Sequence, residues 1–175
     1  MHDLGLVAMW DDGDKTYVFG TASNEDKSTS GWSLHVARTD HDSLGDTDAW
    51  EYWDGSRWSA TAPSTSDARS GALIPADRGV SHVLSVFERH GTWYAVSKEG
   101  DFTGDRLAVW KADSVTGEWN KHIVRSLPNS GNIQRYTPLA HPDFSTPTGT
   151  LLISWSESPE DHSLYHSRPE LYRPE

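Results

Sequence analysis

The chain has 175 residues, nine of them tryptophan and none cysteine. Fifteen basic residues stand against 26 acidic ones, a net charge of −11, which argues against nucleic acid as a partner, since phosphate binding needs a concentrated positive face. The lack of cysteine excludes disulfides, thiolate chemistry and Cys-based zinc sites, and no run approaches the roughly 18 apolar residues of a membrane helix.

In chain order, Leu4 to Trp10 is a continuous apolar run, which predicts an inner strand buried on both faces. Asp11-Asp12-Gly13-Asp14 makes a turn and Thr16 to Ala22 the return strand. Trp32 to Arg38 alternates and predicts a third strand. Asp40 to Asp48 is an acidic connection, and Trp50 to Trp58 an aromatic outer hairpin turning at Asp54-Gly55. Thr61 to Ser70, rich in Ser, Thr, Ala and Pro, is a linker. A second unit then runs through His82 to Arg89, Thr92 to Lys98, Arg106 to Ala112 and Trp119 to Leu127. A third opens at Ile133 to Pro142, where two prolines weaken a regular strand, and continues through Thr150 to Glu157 and Leu164 to Arg168. No stretch carries helix periodicity with caps.

These units echo one another. Aligning Tyr17, Tyr94 and Leu152 brings Val18, Ala95 and Ile153 together, and Gly91 with Gly149, whereas Gly13 falls one residue early. Leu34 to Asp40 and Leu107 to Asp113 both read Leu, x, Val, x, basic, x, Asp, and Leu164 to Glu170 is a looser third copy. Repeated strand–turn–strand units mark radial or stacked β architectures. The expected fold is therefore all-β, a partial propeller of roughly two and a half blades. Its units run about 4–60, 72–127 and 133–175 within a single region.

Tyr136 to Pro142, Leu151 to Ser156 and Leu171 to Pro174 carry a resemblance, joined by Tyr17 to Thr21 and Asp48 to Trp53. There the chain resembles a bacterial propeller-domain family, formerly of unknown function, that includes endo-D-arabinanases. The resemblance implies a five-bladed propeller of which this is the C-terminal part, secreted or envelope-associated. A polysaccharide would be its substrate or ligand. Self-association or a further chain segment would complete the ring. The family's catalytic aspartates lie in early blades with no matching position here.

Glycoside hydrolysis needs two carboxylates flanking the scissile bond, about 5 Å apart for retention or about 6.5–9.5 Å for inversion. Glu99 and Glu157 occupy equivalent repeat positions, where the first unit has Ala22, and are the candidate catalytic pair. Trp155 shares a strand face with Glu157 and could stack on a sugar or pack a core. His82 and Tyr136, at the start of inner strands, could bind a sugar, and His82 could move a proton. Arg135 could hold a carboxylate or a substrate oxygen, and His141 completes the candidate binding set, with a structural bond to backbone as its alternative role. Asp11, Asp12 and Asp14 do not match the spacing of a calcium loop and read as a hairpin turn. No cofactor and no metal are expected. The readings are a glycoside hydrolase acting on arabinan or a related polysaccharide, a non-catalytic carbohydrate-binding or envelope-attachment module, and a structural propeller fragment.

Overall fold

The computed structural model describes residues 5–23, 30–63, 71–77, 79–131, 133–144, 146, 149–159 and 166–173. Three antiparallel meanders follow one another along the chain. Sheet A is β1 (Gly5–Asp11), β2 (Lys15–Ser23), β3 (Trp32–Asp40), β4 (Glu51–Trp53) and β5 (Trp58–Ser59). Sheet B is β6 (Ser85–Arg89), β7 (Thr92–Lys98), β8 (Arg106–Ala112) and β9 (Asn120–Ser126). Sheet C is β10 (Ile133–His141), β11 (Leu151–Pro159) and β12 (His166–Tyr172). Two short 3-10 turns, His41–Ser43 and Thr47–Ala49, interrupt the acidic connection. Among the described residues no helix is long and apolar enough to cross a membrane.

The sheets stack face to face. Phe19, Leu34 and Val36 of sheet A meet Val86, Trp93, Ala95, Ala108 and Trp110 of sheet B in one core. Phe87, Tyr94, Val96, Leu107 and Val109, on the opposite face of sheet B, meet Leu151, Ile153 and Trp155 of sheet C in a second. Sheet B is thus covered on both faces, and the strand alternation of period two sorts its side chains between two neighbours. Consecutive meanders layered in this way form a partial β-propeller, all-β in class.

The repeat fixes the pairing of the first two units. Tyr17 lies across from Arg38 and Tyr94 across from Lys111, so the tyrosine of each second strand faces the basic residue of each third. The third unit departs. Leu152 pairs with Leu171, and Arg168 lies opposite Trp155. The loose copy Leu164 to Glu170 is therefore three residues out of register, and its first two residues lie outside the described residues. The prolines and a polar sequence there leave little hydrophobic pattern to pin the register.

Two further expectations need correction. β1 is not buried on both faces: Met9 is 58% exposed, and Val7, Ala8 and Trp10 are only half-buried. β1 pairs with β2 alone, so it is an edge of its sheet. The second unit's first strand begins at Ser85, not His82. Residues 71–77 and 79–84 instead cross the end of sheet A, where Trp32 and Val80 exchange both backbone hydrogen bonds, and Leu73, Ile74, Val80 and Leu84 fill the first core. Gly79 permits that crossing, because a β-carbon there would collide with the Trp32 and Pro75 carbonyl oxygens.

Candidate functional site

The two candidate carboxylates open into different gaps. Trp93 and Ala95 of β7 face sheet A. Glu99 continues that side, its N–H donating to the Arg106 carbonyl so that the ladder extends one residue past the strand. Its side chain is 4% exposed, with one oxygen 2.6 Å from Arg106 Nη2 and the other 2.5 Å from Lys121 Nζ. Glu157 continues the side of β11 on which Leu151, Ile153 and Trp155 face sheet B. Its Oε1 accepts from Arg135 Nε at 2.7 Å and from Trp155 Nε1 at 3.4 Å. They belong to different sheets, and each carboxylate carries its own cations.

Arg135 is cross-strand from Glu157. Its Nη1 also donates to the Pro128 carbonyl at 2.7 Å and to Ser130 Oγ at 3.3 Å, so the guanidinium binds β11 to the β9–β10 connection. Trp155 is 6% exposed and belongs to the second core. The Arg125 guanidinium lies 5.3 Å from its ring centroid, a cation–π geometry that takes one face of the indole.

Tyr136 is half-buried and pairs with Ser156 just before a register shift. Thr137 holds a positive φ of 49° at that irregularity, next to buried Pro138, which has no N–H to offer the ladder. His141 bonds the Ser154 hydroxyl through Nε2 at 2.7 Å, and its ring meets Phe144 edge-on. Its partner is thus a hydroxyl on the neighbouring strand. His82 is exposed in the loop before β6, its ring against Trp32. In the acidic turn, Asp11 accepts from Gly13 N–H and Thr16 Oγ1, and Asp12 from the N–H groups of Asp14 and Lys15. Among the described residues no three His, Asp or Glu side chains gather as a metal would require.

Lys98 is a group the sequence reading passed over. It is fully buried and faces sheet C. Its ammonium donates to the carbonyls of Phe102 (3.0 Å) and Arg135 (2.5 Å) and to Asn129 Oδ1 (3.3 Å). All three partners are neutral. Burial pulls its pKa down to about 8, the nearby Arg135 cation adds to that, and Asp105 opposes it. The repeat alignment held the signal, since Thr21 and Ser156 stand where Lys98 does.

His35 was also missed. It lies on β3 between Leu34 and Val36 but points to the other face, with Val18, Gly20 and Ala37. It is 4% exposed, and burial alone lowers its pKa to about 4. A lone histidine in an apolar run was the available clue.

An all-β stack of blade-like sheets, with ion pairs inside sheets B and C and a buried lysine reaching from sheet B to sheet C, defines the class of molecule. The chain belongs to the family described as a domain of unknown function, DUF5005, which matches residues 2–175. No curated protein matches it in sequence. Among solved structures it is similar to an exo-β-1,3-galactanase from Phanerochaete chrysosporium crystallised with β-1,3-galactotriose, at 11% identity and a TM-score of 0.44. That match covers 98% of this chain and 39% of the other, so the chain spans about two fifths of the galactanase's length.

Proposed function

We propose that this chain is a glycan-binding segment of a propeller of glycoside-hydrolase type, with arabinan or a related cell-wall polysaccharide as its ligand. The observation that carries the choice of binding over catalysis is the state of the two carboxylates. An acid catalyst needs a proton to give to the leaving oxygen, and a nucleophile needs an oxygen open to the sugar. Glu99 has neither oxygen open, because Arg106 and Lys121 occupy both, and Glu157 spends Oε1 on Arg135 and Trp155. The two belong to different sheets, and each is engaged by cations of its own sheet. The half-buried aromatic side chains Trp50, Tyr52, Trp53 and Trp58 of the outer hairpin support glycan contact, since flat apolar rings with polar edges suit sugar faces. A secreted or envelope location belongs to the same proposal, as does a further chain segment or a second copy completing the ring.

Affinity electrophoresis through gels containing arabinan, galactan or glucan tests binding, with a reducing-end assay run alongside. Retardation by arabinan without release of reducing ends is expected. No retardation by any of the three polymers defeats the proposal. Release of reducing ends that disappears in both Glu99→Gln and Glu157→Gln would instead establish hydrolysis by this pair.

A further inference from the structure

The outer hairpin of sheet A holds its shape without a ligand. Asp54 Oδ1 accepts from the N–H groups of Ser56 and Arg57, and the Asp54 N–H donates to the Arg57 carbonyl, closing a turn in which Gly55 has a φ of 98°. Trp53 and Trp58 are thereby set directly opposite each other on β4 and β5, with ring centroids 5.5 Å apart and planes crossing at 60°. β5 pairs with β4 alone, so the two indoles stand at the outer edge of the sheet.

The faces and the edges of these rings have different fates. The Arg38 guanidinium, held by Glu51 at 2.8 Å, lies 4.2 Å from the Trp58 centroid and takes one face of that indole. Tyr17 packs obliquely against the same ring, with 6.4 Å between centroids. The N–H edges are unspent. Trp50 and Trp119 donate theirs to the Leu44 and Val115 carbonyls, and Trp155 to the Glu157 carboxylate. Those of Trp53 and Trp58 have no acceptor among the described residues. The buried side-chain polar atoms that lack a partner are Thr21 Oγ1, His35 Nδ1 and Arg89 Nη1. The two hairpin nitrogens are not among them, and both residues are half-buried, so both N–H groups are open to solvent.

An indole N–H donates and does not accept. Two such donors side by side select a ligand that offers oxygen acceptors at short spacing and can take the place of water there. An anion also offers oxygens, but the hairpin's cations already have partners, Arg38 in Glu51 and Arg57 in Asp54, and a chain with a net charge of −11 repels it. The hydroxyl, ring and bridging oxygens of an uncharged carbohydrate meet the requirement.

We infer that Trp53 and Trp58 form the polar reading edge of the glycan site, each indole N–H donating to an oxygen of an uncharged polysaccharide lying along the hairpin. This rests on the glycan reading above and narrows it, from four aromatic side chains to two donors.

The test uses the full chain labelled with ¹⁵N. It is titrated in turn with pentasaccharides of arabinan, galactan and glucan, and with trigalacturonic acid. A neutral pentasaccharide should shift the indole N–H resonances of Trp53 and Trp58 saturably and leave those of Trp119 and Trp155 in place, and the acid should move none of them. Trp53→Phe and Trp58→Phe keep a ring and lose the donor. Each should weaken retardation in a gel of the matching polymer roughly threefold to tenfold, the worth of one neutral hydrogen bond, whereas Trp119→Phe should not. Should a variant lose its native circular dichroism, the wild-type resonances decide. Retardation by a polymer whose pentasaccharide leaves both resonances unmoved, with both variants binding as wild type does, overturns the inference and leaves the glycan reading standing. Equal shifts with trigalacturonic acid overturn it too, because the site would then not select an uncharged ligand. No retardation by any polymer, with both resonances unmoved throughout, defeats the inference and the glycan reading together.

Discussion

Lys98 brings a charge to a place where the other two units have hydroxyls, and its surroundings explain how it is kept there. Its three protons meet three neutral acceptors, so the ammonium is satisfied without an ion pair. Removing it would take a donor from the Phe102 and Arg135 carbonyls, while Asn129 Oδ1 would keep the Arg135 N–H. Lys98→Met should therefore lower unfolding stability at pH 7 by about 2–3 kcal/mol, the loss of partners outweighing the relief of charge burial. Urea denaturation would show it, and a variant as stable as wild type would refute a stabilising role for the buried ammonium. His35 makes the opposite case, a base kept neutral. Its folded pKa of about 4 lies below the unfolded value of 6.5. The unfolded chain therefore takes up the proton first as pH falls. Its full stability holds above about pH 6.5 and declines to about pH 4, by about 3 kcal/mol for this one group. Wild type minus His35→Phe, followed by urea titration from pH 7 to 4.5, isolates it; parallel curves would show that His35 is not held neutral by burial. Their settings were not legible from sequence, because most of the neighbours that matter, Ser33 and Phe102 excepted, are distant along the chain.

At the scale of elements the turns explain why the repeats align imperfectly. His90 and Gly91 form a two-residue loop with φ of 55° and 82°, and Arg89 pairs with Thr92. Both positive values mark a type I′ turn. β1 and β2 are joined by three residues, Asp12 to Asp14, so Gly13 must sit one place earlier than Gly91. A type I′ turn favours Asn at its first position, so His90→Asn should raise stability by about 0.5 kcal/mol. An unchanged or lower melting temperature would count against that turn type. Where hydrophobic alternation and turn residues coincide, sequence was enough: β7 and β8 fall on Thr92–Lys98 and Arg106–Ala112 as read, and the aromatic hairpin turns at Asp54-Gly55. It was insufficient for β12, whose polar segment has no apolar face to set register, and for β1, whose apolar run suggested more burial than an edge strand receives. Equivalent repeat positions also suggested that Glu99 and Glu157 act together. Equivalence in a layered fold places the two residues on successive sheets, where each meets cations of its own sheet.

Across the whole molecule, stability is unevenly distributed because, among the described residues, sheet B is the one packed between two other sheets. Ala95, Val96, Ala108 and Val109 are fully buried, whereas β9 is exposed along most of its length and β1 is an edge. Sheet C is held to sheet B by the second core, by Lys98 reaching the Arg135 carbonyl, and by Ser85 Oγ accepting from the Ala140 N–H. The contacts that hold sheet A to sheet B are different ones: the first core, and the segment around Val80, which bonds Trp32 of β3 and, through the Ser81 N–H, the Ser97 hydroxyl of β7. Loosening one gap should therefore leave the other largely intact. Ile153 is fully buried in the second core, and Ile153→Ala should cost about 2–5 kcal/mol. Native-state hydrogen exchange of that variant should show the loss concentrated in β10 and β11, with β2 and β3 retaining most of their protection as a separate opening unit. An equal fall of protection in all three sheets would mean that the stack opens as a single cooperative unit, and that the two gaps, though built from different contacts, are not energetically independent.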